Sequence, residues 1–156
     1  MSTSQIVDLS RKQAILGLEE RLLKQAAVLY KCGFKSISAA QMAAVGERVC
    51  TEPTISKARN GVGKFLCKQI DKLTKKEKDE SWRTPLQSGS KQRCLGEELK
   101  SWLADEKYLP APKESYDDSV RLTALRRFWS YLHAMYRYEK VFKEVMWLDH
   151  TQTEKR

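Results

Sequence analysis

The segment 36–66 constrains the fold of this chain more than any other part of the sequence, because its pattern predicts two helices joined by a tight turn. The alanine-rich stretch 39–49 predicts a first helix whose small side chains let a neighbouring helix approach closely. The connector 50–52 is short, and Pro53 suits the first turn of a second helix, where its missing N–H costs nothing. Thr51 is the expected N-cap of that second helix.

The second helix of the pair is expected to have an apolar side and a basic side. Apolar residues recur along it at spacings of three or four, and lysines occupy the opposite side. The apolar line consists of Ile55, Ala58, Val62, Leu66, Ile70 and Leu73, and the basic line consists of Lys57, Lys64, Lys68 and Lys75. The stretch 59–63 contains two glycines and is a strong turn signal, so the sequence leaves open whether the helix is continuous or restarts near Gly63.

Three further stretches have helical periodicity. Ser10 suits the N-cap of a first helix, and Gly33 suits its C-terminal stop. Ser36 or Ser38 suits the N-cap of the helix over 39–49. A later helix is expected over about 90–106, and a longer one over about 117–147, where the apolar stripe slips once in phase. Asp117, Asp118 or Ser119 suits the N-cap of that longer helix. The polar stretch 74–90 contains a proline and a glycine, so it predicts a linker or a long loop.

The composition favours an all-α fold. The chain is rich in Ala, Leu, Lys, Glu and Arg, poor in Gly and Pro, and has no sustained alternation of apolar and polar residues. With 156 residues, 41% of them apolar, it is long enough to bury a core without disulfides or metals. We expect an N-terminal helix-turn-helix domain of three helices over 10–78 and a C-terminal helical domain over 90–156 that dimerises or binds a partner.

The positive charge is concentrated in the part of the chain that holds the helix pair. Residues 1–50 carry seven Lys/Arg and four Asp/Glu, residues 51–76 carry seven and two, and residues 77–156 carry fifteen and fourteen. The first 76 residues therefore hold +8 of the net charge of +9. Such a concentration attracts a polyanion through phosphate contacts and counterion release, although a solvated lysine-rich surface has the same composition.

No pattern in the sequence predicts an enzyme, a metal site or a cofactor. Cys32, Cys50, Cys67 and Cys94 lie 18, 17 and 27 residues apart, without a paired motif, and His133 and His150 lack catalytic partners nearby in the sequence. The first three cysteines stand beside apolar positions and are expected to be buried. The first residues have no signal-peptide core and no stretch approaches the roughly 18 apolar residues of a membrane span, so we expect a cytoplasmic protein.

The helix pair is the best candidate for a binding site. In a helix-turn-helix the first turns of the second helix face base edges, and residues further along contact phosphates. The residues expected at or near the groove are Thr51, Thr54, Ser56, Lys57, Arg59 and Asn60, and those expected on phosphates are Lys64, Lys68, Lys72, Lys75 and Lys76. Asn pairs with adenine and Arg with guanine, which makes this set suited to reading a duplex.

The runs AVGERV (44–49) and TEPTISKA (51–58) resemble the N-terminal DNA-binding domain of KfrA-type plasmid proteins, also described as plasmid replication-region DNA-binding proteins. The resemblance covers about 15–68. It implies sequence-specific DNA binding in autoregulation or plasmid maintenance, with Thr54, Ser56, Lys57 and Arg59 on the groove-facing helix. The chain departs from that family in two respects: the connector 50–52 lacks the usual glycines, and the C-terminal half lacks a long alanine-rich coiled coil.

The arginine- and aromatic-rich stretch 126–138 has two interpretations. Aromatic rings among arginines stack on single-stranded bases. Phe128, Trp129 and Tyr136 keep helical spacing, however, which favours core packing or a subunit interface. Tyr131 and Tyr138 lie off that stripe and would form a partner-binding face if exposed.

These observations together predict a sequence-specific double-stranded DNA-binding protein, a transcriptional or plasmid-maintenance regulator that forms a homodimer. Two other classes stay open. One is a small basic interaction protein, such as a mobile-element or phage-encoded inhibitor of a host protein, which would bind an acidic protein surface. The other is an RNA-binding protein that uses the same charge and the aromatic helix.

Overall fold

The computed structural model describes residues 3–71, 82, 85–87, 93–103 and 117–154, with the backbone alone described for 3–4, 7–8, 11, 71 and 148–154. Every regular element in this part of the chain is a helix, which confirms the all-α prediction. The six α-helices described there are α1 (Thr3–Tyr30), α2 (Ala39–Thr51), α3 (Ile55–Asp71), α4 (Leu95–Leu103), α5 (Asp118–Arg137) and α6 (Glu139–Glu154). Among them, none combines the length and the apolar content that crossing a membrane requires.

Helix α1 ends where the sequence predicts, but it begins earlier. Gly33 has a φ of 111°, in the left-handed region that favours glycine, and it separates α1 from a short 3-10 helix at Phe34–Ser36. The expected N-cap Ser10 lies inside the helix instead, because the residues from Thr3 to Ser10 include no glycine or proline that would stop it.

The core is one continuous cluster that extends from Ile15 to Val145. Its largest interface joins α1 to α5. Leu22 and Leu29 of α1 and Leu125 and Leu132 of α5 all belong to the cluster and are at most 1% exposed. The described residues of the segments 10–78 and 90–156 thus bury their apolar side chains together. The division into two domains stays a prediction.

The stretch 74–90 is attached to the core through the part of it that the structure describes. Trp82 is fully buried, Leu86 is buried, and the Trp82 indole N–H donates to the side-chain oxygen of Gln41 at 3.0 Å. A Cβ on Gly96 would lie 2.8 Å from the Cβ of Trp82, so only glycine lets the start of α4 lie so close. The described parts of this stretch therefore form a loop that packs on the core. Of the two predicted possibilities, a linker or a long loop, they fit the second.

The long C-terminal helix expected over 117–147 is two helices. Of the three candidates Asp117, Asp118 and Ser119, Asp117 caps α5, and its side chain accepts the N–H of Val120 at 2.8 Å. Tyr138 leaves the helical conformation, with φ −132° and ψ 91°, and α6 then places Phe142 against Tyr30 with ring centroids 4.7 Å apart. The break explains the slip in the apolar stripe, because one straight helix cannot turn both parts of that stripe toward the core.

Replacing the tryptophan of the packed loop tests whether this stretch belongs to the cooperative fold. We expect Trp82→Ala to lower the free energy of unfolding by about 3–5 kcal/mol, since it removes a fully buried aromatic side chain and leaves a cavity. The matched control is Trp147→Ala, whose side chain is 64% exposed and whose loss is expected to cost about 0.5 kcal/mol or less. Urea unfolding followed by circular dichroism measures both, and equal midpoints for the two variants would contradict the assignment.

Candidate nucleic-acid interface

Helix α2 forms the inner member of the helix pair. Ser38 is its N-cap, as expected for one of the two serines before it, and the Ser38 hydroxyl accepts the N–H of Gln41 at 3.3 Å. Met42, Val45 and Val49 are completely buried on its inner side. The small residues between them let α2 lie flat against the rest of the fold.

The turn between α2 and α3 lies two residues later than the sequence predicts. Helix α2 continues through Thr51, whose hydroxyl donates to the carbonyl of Glu47 at 2.6 Å, so Thr51 does not cap α3. Thr54 does so instead: its hydroxyl accepts the N–H of Lys57 at 3.2 Å. Thr51 and Thr54 suit a cap equally by residue type, but only Thr54 stands directly before the first helical residue.

An arginine from α5 closes this turn. The Arg126 guanidinium donates to the carbonyl of Val49 at 3.2 Å and to the carbonyl of Glu52 at 2.6 Å. The last carbonyls of a helix lack partners within the helix, and a positive charge is favourable at that end. Arg126 therefore supplies, from the C-terminal half of the chain, hydrogen-bond donors for the end of α2. In many helices a glycine after the last turn lets nearby backbone N–H groups serve as those donors.

Close packing fixes α2 on both of its sides. A Cβ on Gly46 would lie 2.8 Å from the indole nitrogen of Trp129, so glycine is required for α2 to approach α5 this closely. On the other side the Arg48 guanidinium lies over the Phe65 ring of α3, 4.2 Å from its centroid. The position of α3 is thus set by contacts along α2 as well as by the turn.

Helix α3 is continuous from Ile55 to Asp71, so the glycine-containing stretch 59–63 does not interrupt it. Five of the residues predicted to bind nucleic acid are exposed on it: Ser56, Lys57, Asn60, Lys64 and Lys68. At 100° per residue they fall within an arc of about 120°, opposite the buried line that begins at Ile55. We call these five residues the α3 face.

The α3 face is positively charged. From Ile55 to Ile70 the sequence contains no acidic residue and four cationic ones, Lys57, Arg59, Lys64 and Lys68. The three lysines are exposed, so their charges reach the solvent and any polyanion in it. Thr54 is also exposed, at the N-terminal end of the face.

The other predicted residues either lie outside the α3 face or fall outside the described residues. Arg59 is only 8% exposed, so it is not available to read a base. The sequence predicted exposure because arginine is usually exposed, and position 59 lies at the border of the buried line of α3. Thr51 is exposed, but on α2 and outside the α3 face. Lys72, Lys75 and Lys76 lie outside the described residues.

The aromatic residues of α5 belong to the core. Phe128 is fully buried and stacks on Trp102 with centroids 5.4 Å apart, and Trp129 is 4% exposed, which confirms core packing over base stacking for both. His133 stacks on Trp129, and its burial together with the charge of Arg137 lowers the pKa of its ring. A neutral, stacked histidine fits a packing role. Tyr138 is 59% exposed, whereas Tyr131 is half-buried.

The cysteines follow the expectation only in part. Cys32 is buried as predicted, Cys67 is half-buried, and Cys50 is exposed. Cys50 follows Val49 on α2, and one step along a helix turns a side chain by about 100°, away from the inner side that Val49 occupies. The position of Cys50 on the helix, and not the apolar residues next to it in the sequence, therefore decides its exposure.

Two residues that matter for this surface could not be found from the sequence. Arg126 lies 77 residues from Val49 along the chain, and Lys100 of α4 lines the same cavity as Lys64 and Lys68 of α3. Both act through contacts between distant segments, for which local spacing gives no signal.

Comparison with known proteins adds no relative from which a role could be carried over. No family model, curated protein or solved structure matches the chain. The interpretation of the α3 face therefore depends on its geometry and its charge.

Removing the arginine that closes the turn is expected to destabilise the fold. We predict that Arg126→Ala lowers the free energy of unfolding by about 1.5–3 kcal/mol, because two helix-end carbonyls lose a charged donor. It should also speed hydrogen exchange at the amides of the first turn of α3. The neighbour Arg127 is exposed and pairs with Glu19 at 3.4 Å, so Arg127→Ala is expected to cost about 0–1 kcal/mol. Equal losses in urea titrations of the two variants would show that Arg126 does not hold the turn.

Proposed function

We propose that this protein binds double-stranded DNA sequence-specifically, with α2 and α3 acting as a helix-turn-helix and the α3 face entering the major groove. The observation that carries the proposal is the exposed, cationic α3 face on a helix whose N-terminus is open. Thr54, Lys57 and Asn60 are all exposed, so the C-terminal half does not cover them. The KfrA resemblance of the same segment supports the proposal and suggests transcription regulation or plasmid maintenance as its setting.

The dimensions of the α3 face suit a groove. Ser56 and Lys68 are twelve residues apart, which corresponds to about 18 Å along a helix, and the major groove of about 12 Å admits one helix. Ser56 and Asn60 lie toward the N-terminal end, where base edges are read, and Asn60 is the side chain best suited to a bidentate contact with adenine. Lys64 and Lys68 lie further along, in position for backbone phosphates.

A homodimer is part of this proposal, since a helix-turn-helix commonly reads a site with two-fold symmetry. The N-terminal part of α1 supports it, because Ile6, Leu9 and Leu16 are 45–65% exposed there. Apolar side chains gathered on one helix are typical of a surface that another protein covers.

A protein-binding role without DNA is the second candidate. Tyr138, directly before α6, is 59% exposed, and Trp147, near the middle of α6, is 64% exposed, which would let a partner bind there. For RNA the structure offers less support, because the α5 rings Phe128 and Trp129 are buried and cannot stack on bases. Competition between duplex DNA and single-stranded RNA distinguishes these classes.

Salt dependence tests the phosphate contacts. We expect duplex affinity to fall as salt rises, and Lys64→Ala and Lys68→Ala each to lower the slope of log K against log salt by about one unit, because each removes one phosphate contact. Lys143→Ala is the control: it removes the same charge from an exposed position of α6 and should leave the slope unchanged. Slopes that match the unmodified protein in both α3 variants would exclude these lysines from the interface.

Base reading is tested separately with a random duplex pool. The proposal predicts that the protein enriches a sequence with two-fold symmetry and that Asn60→Ala relaxes one position of it, with a loss of about 1–3 kcal/mol at that base pair. Binding to duplex of unrelated sequence should change little. A pool from which nothing is enriched, together with recovery of one stoichiometric protein partner from lysate, would favour the second candidate.

A further inference from the structure

Helices α3 and α4 line an open basic pocket that shares Asn60, Lys64 and Lys68 with the α3 face. The cavity measures about 470 Å³, and its lining includes Arg59, Asn60, Lys64, Cys67, Lys68 and Lys100. Four of these side chains are cationic, and none of the described residues that line it is acidic. Lys100 comes from α4, so the pocket exists only because the two helices pack together.

Burial makes these charges effective. Arg59 is 8% exposed and Lys100 is half-buried, so water screens these two charges less than it screens the charge of a fully exposed lysine. Several cationic side chains that line one concave site attract an anion more strongly than isolated surface charges do, because their potentials add. An anion there would also offset the cost of holding several positive charges close together.

The acidic side chains of α4 are engaged away from the pocket. The Glu97 carboxylate accepts from the Cys94 thiol at 3.1 Å, and the Glu98 carboxylate accepts from the indole of Trp102 and pairs with Arg93. Both carboxylates thus interact with groups that do not line the cavity, whereas Lys100 of the same helix does line it.

We propose that this pocket binds a phosphate group. Four cationic side chains match a multiply charged oxyanion better than they match a single carboxylate, because a phosphate group carries more negative charge. The volume leaves room for the group to which the phosphate is attached. The phosphate belongs either to a duplex backbone lying along the α3 face, in which case the inference rests on the proposed function, or to a free phosphorylated small molecule.

Cys67 provides a direct readout because it lines the pocket, and exposed Cys50 is an internal control. The full chain is treated with a maleimide at low salt, with inorganic pyrophosphate or with sodium chloride at equal ionic strength, and alkylation of each thiol is followed by mass spectrometry. We expect pyrophosphate to slow alkylation of Cys67 several-fold and to leave that of Cys50 unchanged. Lys100→Ala should raise the pyrophosphate concentration needed for protection by about tenfold. Lys143→Ala should leave it unchanged.

A second arm measures duplex affinity for the same variants and identifies the source of the phosphate. Weaker duplex binding by Lys100→Ala, alongside lost protection by pyrophosphate, assigns the pocket to the DNA backbone. Protection by pyrophosphate without any effect of Lys100→Ala on duplex binding, or without duplex binding at all, assigns it to a free phosphorylated molecule. The pocket proposal is overturned if pyrophosphate does not protect Cys67, or if it protects Cys67 of the Lys100→Ala variant equally well. In that case the proposed function still stands when duplex binding depends on Lys64 and Lys68.

Discussion

The contact between Arg126 and the end of α2 is the interaction on which the arrangement of the surface depends. The observed connector between α2 and α3, residues 52–54, contains no glycine. It therefore lacks the residue that commonly lets the chain fold back and donate N–H groups to the last carbonyls of a helix. Arg126 satisfies two of them from α5. The same helix receives α2 closely at Gly46, against Trp129. The direction of α3 is therefore set by the C-terminal half of the chain.

The buried side of α3 is part of the same core as α1 and α5. Burial of that side holds the helix in place, and its lysines on the opposite side are exposed to solvent. Arg59 lies at the boundary between the two sides and is buried. The result is a helix with one buried side and one exposed basic side, and with a concave basic site along its flank.

The sequence predicts those parts of the fold that local rules decide. The turn at Gly33 and the apolar and basic sides of α3 follow from spacing and residue type. The caps of α2 and α5 follow to within two or three neighbouring residues, from which the structure selects Ser38 and Asp117. The cap of α3 does not follow, because Thr51 and Thr54 suit it equally and the end of α2 decides between them. Trp82 is a single aromatic residue in a polar stretch, so no periodicity reveals its burial. Arg59, Lys100 and Arg126 take their roles from contacts between segments far apart in the sequence.

The central claim is that α3 meets a duplex through its exposed face. Amide chemical shifts of the labelled protein, recorded during titration with a duplex of random sequence at low salt, test it most directly. The account predicts that the largest changes run from Thr54 to Lys68 and that they shrink as salt is added. Changes confined to α6, around Tyr138 and Trp147, or no changes at all, would contradict it.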